Sequence, residues 1–430
     1  MPTGTGLSRR DFLKRGAMAA AVPTLWPLIG RVGPAFGLDD PDPSTALRNR
    51  LVVIFLSGGN DGLNTVIPMW DADGTQRRSV YQAARPTLQY ADTAVLHLDL
   101  TTDDAAHGLG LHPSLTKLHA MYEAGRVAVV QGVDYPNHSY SHFESTDIWQ
   151  SGQPLAAPDS GWLGRHLDRS GIGAGELRAA AMTYDLPLAL RGTDKLGITI
   201  PTLPFRFSDG TAAAADAKHA AAKLYANHPS SEPLRQYWGE RMDESVRIVE
   251  TLEVAPATPN TGNGLANALL TARTLLEGNY GTEVVFVAVG GYDTHELQRT
   301  AHQTLLTNLD NAIDTFFNGV PASGIPPLSP TVADRTMVMT FSEFGRRLKE
   351  NGSAGTDHGA AAPLFLVGPP AGRLVGGIHG DHPNVGTTLA PVDNILQTTD
   401  LRAVYQAVLE QWLADPDPTL GAALPGLFLP

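Results

Sequence analysis

The sequence predicts an α/β fold with a mostly parallel central sheet and helices on both faces. Three observations predict it. Short apolar runs recur along the chain, amphipathic helical segments lie between them, and a glycine-rich or polar loop follows most of the runs. Continuous apolar runs rich in β-branched residues are typical of strands buried on both faces. Strands that alternate with helices form mostly parallel sheets, because each helical crossover returns the chain to the same edge.

Five apolar runs predict the strands of this sheet. They are Leu51–Leu56, Val127–Val130, Val284–Val289, Thr336–Phe341 and Leu364–Val367. Two helices are clear from their periodicity. One covers about 297–317, and the other begins near Leu401 behind a cap at Thr399 or Asp400. The stretch 159–263 is less regular, and we interpret it as an insertion that forms either a cap or a lobe at the edge of the sheet.

The N-terminus has the pattern of a twin-arginine signal peptide. Arg9 and Arg10 are followed by a polar residue and then by Phe-Leu-Lys, and an alanine-rich apolar stretch continues to Ile29. This stretch is too short, and too interrupted by prolines, to span a bilayer as a permanent helix. The alternative is a basic, disordered arm, but paired arginines followed by Phe-Leu-Lys and an apolar run favour the signal.

The signal divides the chain into three segments. Small side chains at Ala35 and Gly37 predict cleavage after Gly37. Residues 1–37 are then the signal, residues 38–50 a linker, and residues 51–430 one α/β domain. We therefore expect the twin-arginine translocase and a signal peptidase as partners, a periplasmic or extracellular location, and no permanent membrane span.

Composition narrows the classes of function. The formal net charge is −13, with 31 basic and 44 acidic side chains. A nucleic-acid-binding surface requires clustered lysine and arginine, so this balance argues against nucleic acid as a partner. The chain has no cysteine. Disulfides and thiolate metal sites are therefore impossible, and any metal must be held by histidine, carboxylate or hydroxyl oxygen.

Polar side chains follow four of the predicted strands. In chain order these are Asn60 and Asp61; His138, Ser139, Ser141 and His142; Asp293 and His295; and Glu343 and Arg346. A fifth cluster, Asp357 and His358, precedes the run that begins at Leu364. Ligands of parallel sheets bind beyond the carboxyl ends of the strands, so we expect these side chains to form one site.

Each cluster also fits a purely structural role when it is considered alone. The roles are a tight turn for Asn60 and Asp61, a helix cap for Asp293, a capping box for Ser141 with Glu144, a surface ion pair for Glu343 with Arg346, and loop positions for His358, His379 and His382. Together, however, the set is what a hydrolase with one or two divalent metals requires. Carboxylates and imidazoles hold the ions, and a hydroxyl attacks.

Several motifs resemble the exported bacterial proteins called "domain of unknown function 1501". Besides the paired arginines, they are Gly58–Thr65, Ser141–Phe143 with Trp149 and Gly152, Gly291–His295, Ser342–Arg346, and Asn351–Gly359. The resemblance covers about residues 51 to 413. That family is placed by similarity within the alkaline phosphatase and sulfatase superfamily, so the resemblance implies an alkaline phosphatase-like fold.

The resemblance also implies roles for single residues. Ser141, or alternatively Ser139, would be the nucleophile. The metal ligands would be Asp293, His295 and His358 for one ion, and Asp61 and Glu343 for the other. The residues that line the site would be Asn60, His138, His142, Arg346 and Asp357. The cofactor would be one or two ions of zinc, magnesium, manganese or calcium, and the partner a small-molecule ester.

The sequence departs from the superfamily pattern at two places. Asp293 and His295 are two residues apart where the superfamily usually has a spacing of four, and Ser342-Glu343 stands where it usually has Asp-His. These departures indicate that one metal site is altered or lost.

Two functions from different classes follow. The first is an exported metal-dependent hydrolase of a phosphate or sulfate ester. The second is an exported, metal-stabilised binding or assembly protein on a catalytically degenerate hydrolase fold.

A short sulfatase-like pattern at Ser231–Arg235 comes too late in the chain and lacks the Thr-Gly that normally follows. We interpret it as the start of a helix, with Pro233 in the first turn.

Overall fold

A computed structural model describes most of the chain beyond the N-terminal segment. The residues described are 48–71, 76–99, 101, 108–154, 158–170, 177–205, 248–250, 252–253, 255–278, 280–369 and 372–429. The predicted signal peptide, most of the predicted linker and the Ser231–Arg235 segment lie outside them.

The strands of the described residues are β1 Arg50–Leu56, β2 Val66–Pro68, β3 Leu96–His97, β4 Leu109–Leu111, β5 Val127–Asp134, β6 Ala179–Ala181, β7 Ile198–Thr199, β8 Val284–Val289, β9 Thr336–Phe341, β10 Arg346–Glu350, β11 Thr356–His358, β12 Ala362–Val367, β13 Gly377–His379 and β14 Thr399–Asp400. The α-helices are α1 Gly62–Thr65, α2 Arg77–Ala84, α3 Thr116–Glu123, α4 His142–Ser151, α5 Trp162–Arg169, α6 Gly264–Glu277, α7 Gln298–Asn318, α8 Pro330–Ala333 and α9 Leu401–Ala407. A π-helical turn, Val408–Trp412, continues α9.

Nine strands form one mixed, mostly parallel sheet. Its order is β13-β5-β12-β9-β1-β8-β6-β7, and β14 pairs beside β5. β1 lies at the centre and is parallel to both of its neighbours, β8 and β9. Every residue of β1 and β9 is buried, so these strands are covered on both faces. The prediction of an α/β fold with a mostly parallel sheet is confirmed.

β12 runs against the direction of the sheet. It is antiparallel to both β5 and β9, although its apolar run looked like the others. The connection from β9 contains the two-stranded hairpin β10–β11 and no helix. A helical crossover is what returns a chain to its starting edge, so a strand that follows a hairpin connection runs back.

Both predicted helices are present, and part of the irregular middle segment extends the sheet. The predicted helix at 297–317 is α7, shifted by one residue, and the Asp400 carboxylate caps α9 by accepting the N–H of Arg402 (2.9 Å). The described part of the middle segment supplies α5 and adds β6 and β7 to the sheet edge beside β8. Within the described residues, none of the helices combines the length and hydropathy that crossing a bilayer requires.

Asp134, the last residue of β5, is a buried carboxyl group with an altered pKa. Neither of its oxygens has a hydrogen-bond partner among the described residues, and burial raises its pKa to about 7. In the unfolded chain an aspartate releases its proton near pH 4. The folded state therefore loses stability as the pH rises from about 4 to 7, and above pH 7 it holds an uncompensated charge.

We expect Asp134→Asn to stabilise the protein at pH 8 and to change little at pH 4. The substitution removes the buried charge, so the gain in the free energy of unfolding at pH 8 is expected to reach up to about 4 kcal/mol. Thermal unfolding followed between pH 4 and 8 measures it, with the exposed Asp334→Asn as control. An equal change in the free energy of unfolding at pH 4 and pH 8 would contradict the raised pKa of Asp134.

Candidate metal centre

The carboxyl ends of β1, β8 and β9 lie side by side, because the three strands are neighbours and parallel. Hydrogen bonds join the loops that follow them. The Gly58 N–H after β1 donates to Glu343 after β9 (2.9 Å), and Arg346 donates to Asp293 after β8 (2.7 Å). His358 reaches the same Asp293 carboxylate from β11 (3.1 Å). The structure thus brings these polar residues together at one edge of the sheet.

Asp293 is the centre of this cluster. Its Oδ1 lies 3.0 Å from His295 Nε2 and 3.1 Å from His358 Nε2, and its Oδ2 lies 3.5 Å from His142 Nε2. Burial alone would raise the pKa of Asp293, but hydrogen bonding with Arg346 and His358 holds that pKa at about 2. The group is therefore a carboxylate at neutral pH, with three imidazole rings around it.

The rings of His142 and His358 are oriented by acceptors on their other side. His142 Nδ1 donates to the Glu343 carboxylate (2.8 Å), and His358 Nδ1 donates to the carbonyl oxygen of Tyr140 (2.9 Å). A neutral ring that donates from Nδ1 carries a lone pair on Nε2. Both Nε2 lone pairs then face the Asp293 carboxylate. The ring nitrogens and the carboxylate oxygens repel one another unless a ring binds an extra proton or a cation lies between them.

This arrangement fits a divalent cation. The ligand atoms of His142, Asp293 and His358 all lie within 4.8 Å of one another, and ligands about 2.1 Å from one ion are spaced about 3.5 Å apart. Metal-binding histidines commonly donate their second ring nitrogen to a carboxylate or a carbonyl, as His142 and His358 do. No other group of this kind occurs among the described residues. Imidazole with carboxylate suits zinc or manganese.

His295 lies beside this group of three. Its Nε2 is 3.0 Å from His358 Nε2, and its Nδ1 is 3.4 Å from the Asp357 carboxylate. The Asp357 carboxylate also accepts a hydrogen bond from Asn351 (3.1 Å). His295 is thus next to the candidate ligands and oriented by Asp357, although the latter contact is long.

Glu343, predicted as a ligand, is held by hydrogen-bond donors of the protein. Its buried carboxylate accepts the backbone N–H groups of Gly58 (2.9 Å) and Gly59 (3.2 Å), the Ser342 hydroxyl (3.2 Å) and the His142 ring. Gly58 has a φ of +121°, and a Cβ there would lie 2.3 Å from the Asp293 nitrogen, so only glycine allows this turn. Glu343 orients His142 in this structure.

Asp61, also predicted as a ligand, is buried in an ion pair. Its Oδ2 accepts from Arg85 Nη1 (2.6 Å) and from the side-chain amide of Gln298. Burial alone would raise the pKa of Asp61, but Arg85 keeps that pKa below its usual value. Arg85 also donates to the carbonyl oxygens of Arg347 and Leu348 (both 2.8 Å), which attaches Asp61 to β10. The structure therefore gives Asp61 a guanidinium partner and leaves it out of the group of three.

Arg346 joins the loops around the site. Its buried guanidinium donates to the Asp293 carboxylate and to the carbonyl oxygens of Gly58, Gly59 (2.7 Å), Tyr292 (3.1 Å) and Thr356 (2.8 Å). These contacts reach the loops after β1 and β8 and the start of β11. The surface ion pair that the sequence also allowed does not form, since Glu343 and Arg346 are both buried and bind other groups.

The two candidate nucleophiles differ in their hydrogen bonds. Ser141 is exposed at the N-terminus of α4, directly before His142, and its side chain makes no cap hydrogen bond. Ser139 donates instead to Glu144 (2.7 Å) and accepts the N–H of Ser141 (3.2 Å). The predicted capping box of Ser141 with Glu144 therefore does not form, and Ser141 is the residue directly before the candidate ligand His142.

The remaining predicted residues support the surrounding loops. Asn60 Oδ1 contacts His302 (2.9 Å), and the Asn60 N–H donates to Ser342 (2.8 Å). His138 Nε2 contacts Asn394 (3.0 Å) and the Tyr140 hydroxyl (2.9 Å). His382 lies in a loop, as expected, and contacts the Pro383 carbonyl, whereas His379 is the last residue of β13 and contacts the Val375 carbonyl.

A cleft of about 500 Å³ opens at the candidate metal group. Its volume lies in the range of sites for small molecules. The lining residues are Phe55, Ser57, Gly58, His142, Phe143, Thr146, Asp147, Gly290, Gly291, Asp293 and Glu343. The sequence analysis placed Phe143 in a motif but gave it no role in the site, and it missed Asp147 and Arg85, because a single acidic or basic residue on a helix carries no pattern that separates it from an ordinary surface position.

Comparison with known proteins gives a family but no activity. A family model described as "Protein of unknown function (DUF1501)" matches residues 48–418. No curated protein matches the chain. A solved Bacteroides thetaiotaomicron structure, from work on a core genetic locus for the metabolism of multiple glycosaminoglycans, shares 10% identity over 89% of this chain and 77% of that chain, with a TM-score of 0.39. This similarity is too low to assign an activity, and the alkaline phosphatase-like character of the fold stays a prediction.

Proposed function

The chain belongs to the DUF1501 family, and we propose that it is an exported hydrolase dependent on one divalent metal, acting on a small phosphate or sulfate ester. One observation carries this proposal. The Nε2 atoms of His142 and His358 face the Asp293 carboxylate at the mouth of a cleft of about 500 Å³. These three residues would hold the ion.

The residues around the ligands have separate tasks in this proposal. Glu343 keeps the His142 proton on Nδ1 and so leaves Nε2 available, and the Tyr140 carbonyl does the same for His358. Arg346 fixes one oxygen of Asp293. A divalent ion in this group would polarise the ester and stabilise the charge that develops on the transferred group.

Ser141 is the proposed nucleophile. Its Oγ attacks the phosphorus or sulfur atom, the bond to the alcohol oxygen breaks, and the hydroxyl proton ends on the departing alcohol. Water then hydrolyses the ester on Ser141 and restores the hydroxyl. The location of Ser141 supports this role, because it precedes His142 directly and its side chain is exposed and makes no cap hydrogen bond.

A Ser141→Ala substitution tests the hydrolase proposal. We expect turnover of an aryl phosphate or aryl sulfate to fall by on the order of 10³-fold or more, because the attacking atom is gone. Metal content and stability should be unchanged, since no cap hydrogen bond is lost. Rates on a panel of esters, with bound metal measured in parallel, provide the test. Ser139→Ala is the matched control and should keep its turnover.

A metal-stabilised binding or assembly protein is the second candidate. Two observations favour it. Arg85 neutralises Asp61, and backbone N–H groups hold Glu343. The described residues therefore contain one candidate metal group, whereas the resemblance implied two metal sites. In that case the fully metal-loaded wild type turns over no ester of the panel, and Ser141→Ala behaves like wild type in every measurement.

We also propose export by the twin-arginine translocase, followed by signal-peptidase cleavage. Replacing both Arg9 and Arg10 by lysine is expected to keep the precursor in the cytoplasm, because the translocase recognises the arginine pair. Cell fractionation with detection of precursor and mature forms measures this. Normal amounts of mature protein in the periplasm would show that another route is used.

A further inference from the structure

One wall of the cleft carries an aromatic ring and a carboxylate on the same face of α4. Phe143, Thr146 and Asp147 are three and four residues apart, so they lie on one side of the helix, and all three line the cleft. Phe143 is 87% exposed, and Asp147 is also exposed. Phe55, from the end of β1, adds a second aromatic ring to the lining.

Apart from the proposed divalent ion, the formal charges of the cleft lining are all negative. No lysine or arginine is among its described lining residues. Arg346 balances the charge of Asp293, whereas Glu343 accepts hydrogen bonds from the neutral His142 ring and from two backbone N–H groups. The ion pairs of the described residues include Asp293 and Glu343 but not Asp147. Among the described residues its carboxylate is therefore a negative charge without an ion-pair partner, next to the Phe143 ring, and it repels a second anionic group and attracts a cation.

We infer that the cleft recognises a substituted ammonium group with an apolar body, carried by the substrate away from its reacting ester bond. That the substrate contains an ester bond rests on the proposed function. An aromatic face and a carboxylate on one wall are the groups that recognise alkylammonium ions, since one contacts the apolar body and both attract the charge. His142 and Asp147 are separated by roughly 7.5 Å along the helix axis, at about 1.5 Å per residue. A short alkyl tether therefore connects the two ends of the substrate.

Gly290 leaves open space in the same cleft. A Cβ built on it meets no atom within 4 Å, and its φ is not positive. A side chain can therefore start from this lining position without a clash at its Cβ, and a larger one is expected to reduce the open space of the cleft. Gly290→Leu is a blocking variant at a lining position that is neither a proposed ligand nor part of the aromatic and acidic wall.

The test compares choline with its uncharged isostere, 3,3-dimethylbutan-1-ol. Neither probe contains an ester, so binding requires no turnover. Titration calorimetry on the metal-loaded mature chain is expected to show choline binding at least tenfold more tightly than the isostere. Asp147→Asn should remove this preference, Phe143→Ala should weaken choline binding, and Gly290→Leu should abolish it. Glu144→Gln, an exposed residue of α4 outside the cleft lining, is the matched control and should behave like wild type.

Equal binding of the two probes, no binding of choline, or a preference that survives Asp147→Asn would overturn this inference. The same titration on chelator-treated protein separates it from the proposed function, because choline has no group that requires the metal. A protein that binds choline selectively and hydrolyses no ester would contradict only the hydrolase. A protein that hydrolyses aryl phosphates without discriminating choline from its isostere would contradict only the inference.

Discussion

Replacing Asp293 by asparagine is expected to reduce the bound divalent metal from about one ion per chain to none. Asp293 supplies the only carboxylate among the three grouped ligands, so the substitution removes both the negative charge and a strong oxygen ligand. The substitution also removes the carboxylate that pairs with the buried Arg346, so circular dichroism must show a folded variant before its metal content is compared with that of wild type. Metal analysis of the purified protein and calorimetric titration with zinc or manganese measure the loss.

Two further variants accompany this measurement, one that disturbs the orientation of a ligand and one that serves as a control. Glu343→Gln is expected to weaken metal affinity by about 10–100-fold, since it disturbs the orientation of His142 without removing a ligand. Glu350→Gln is the matched control, because Glu350 also accepts backbone N–H groups, those of Thr87 and Leu88, away from the metal group. It should bind metal like wild type. If Asp293→Asn binds metal with unchanged affinity, the ligand assignment is wrong.

Replacing Asp61 by asparagine is expected to cost about 3–5 kcal/mol of stability. The substitution leaves the Arg85 guanidinium fully buried, with a charge that no carboxylate balances. The cost should be the same with and without a chelator, because Asp61 is outside the group of three. Denaturant unfolding in both conditions provides the free energies.

A surface ion pair supplies the control for this second prediction. Arg347 pairs with Asp393, whose side chain is 72% exposed, so Asp393→Asn should change the free energy of unfolding by at most about 1 kcal/mol. Loss of bound metal in Asp61→Asn, with unchanged stability of the metal-free protein, would instead support the sequence-based assignment of Asp61 as a metal ligand.

The strands were predictable because their burial on both faces leaves a continuous apolar run. The bounds of β8 and β9 match the predicted runs residue for residue. The direction of β12 was not predictable, since an apolar run looks the same in either direction and only the hairpin connection reverses it. The loops of the site were predictable in location, because in a parallel sheet the carboxyl ends of strands meet at one edge.

The roles within the site depend on partners that are distant in sequence. Asp61 follows a strand as a metal ligand would, but Arg85, 24 residues later, takes its carboxylate. Glu343 also follows a strand, but the backbone of Gly58 and Gly59, 284 or more residues earlier, supplies its donors. His142 was expected only to line the site, and the fold turns its Nε2 toward Asp293.

The central position of β1 also determines when the sheet can form during synthesis. Its two partners are distant in the chain: Leu51 pairs with Val284 of β8 and with Met337 of β9. At about 5–20 residues per second, the ribosome needs on the order of 15 to 60 seconds to make the intervening residues. For most of this time, until β8 has been made, the apolar strand β1 lacks both partners, and contacts of such high sequence separation close slowly. The nascent chain therefore needs protection from aggregation until β9 has emerged.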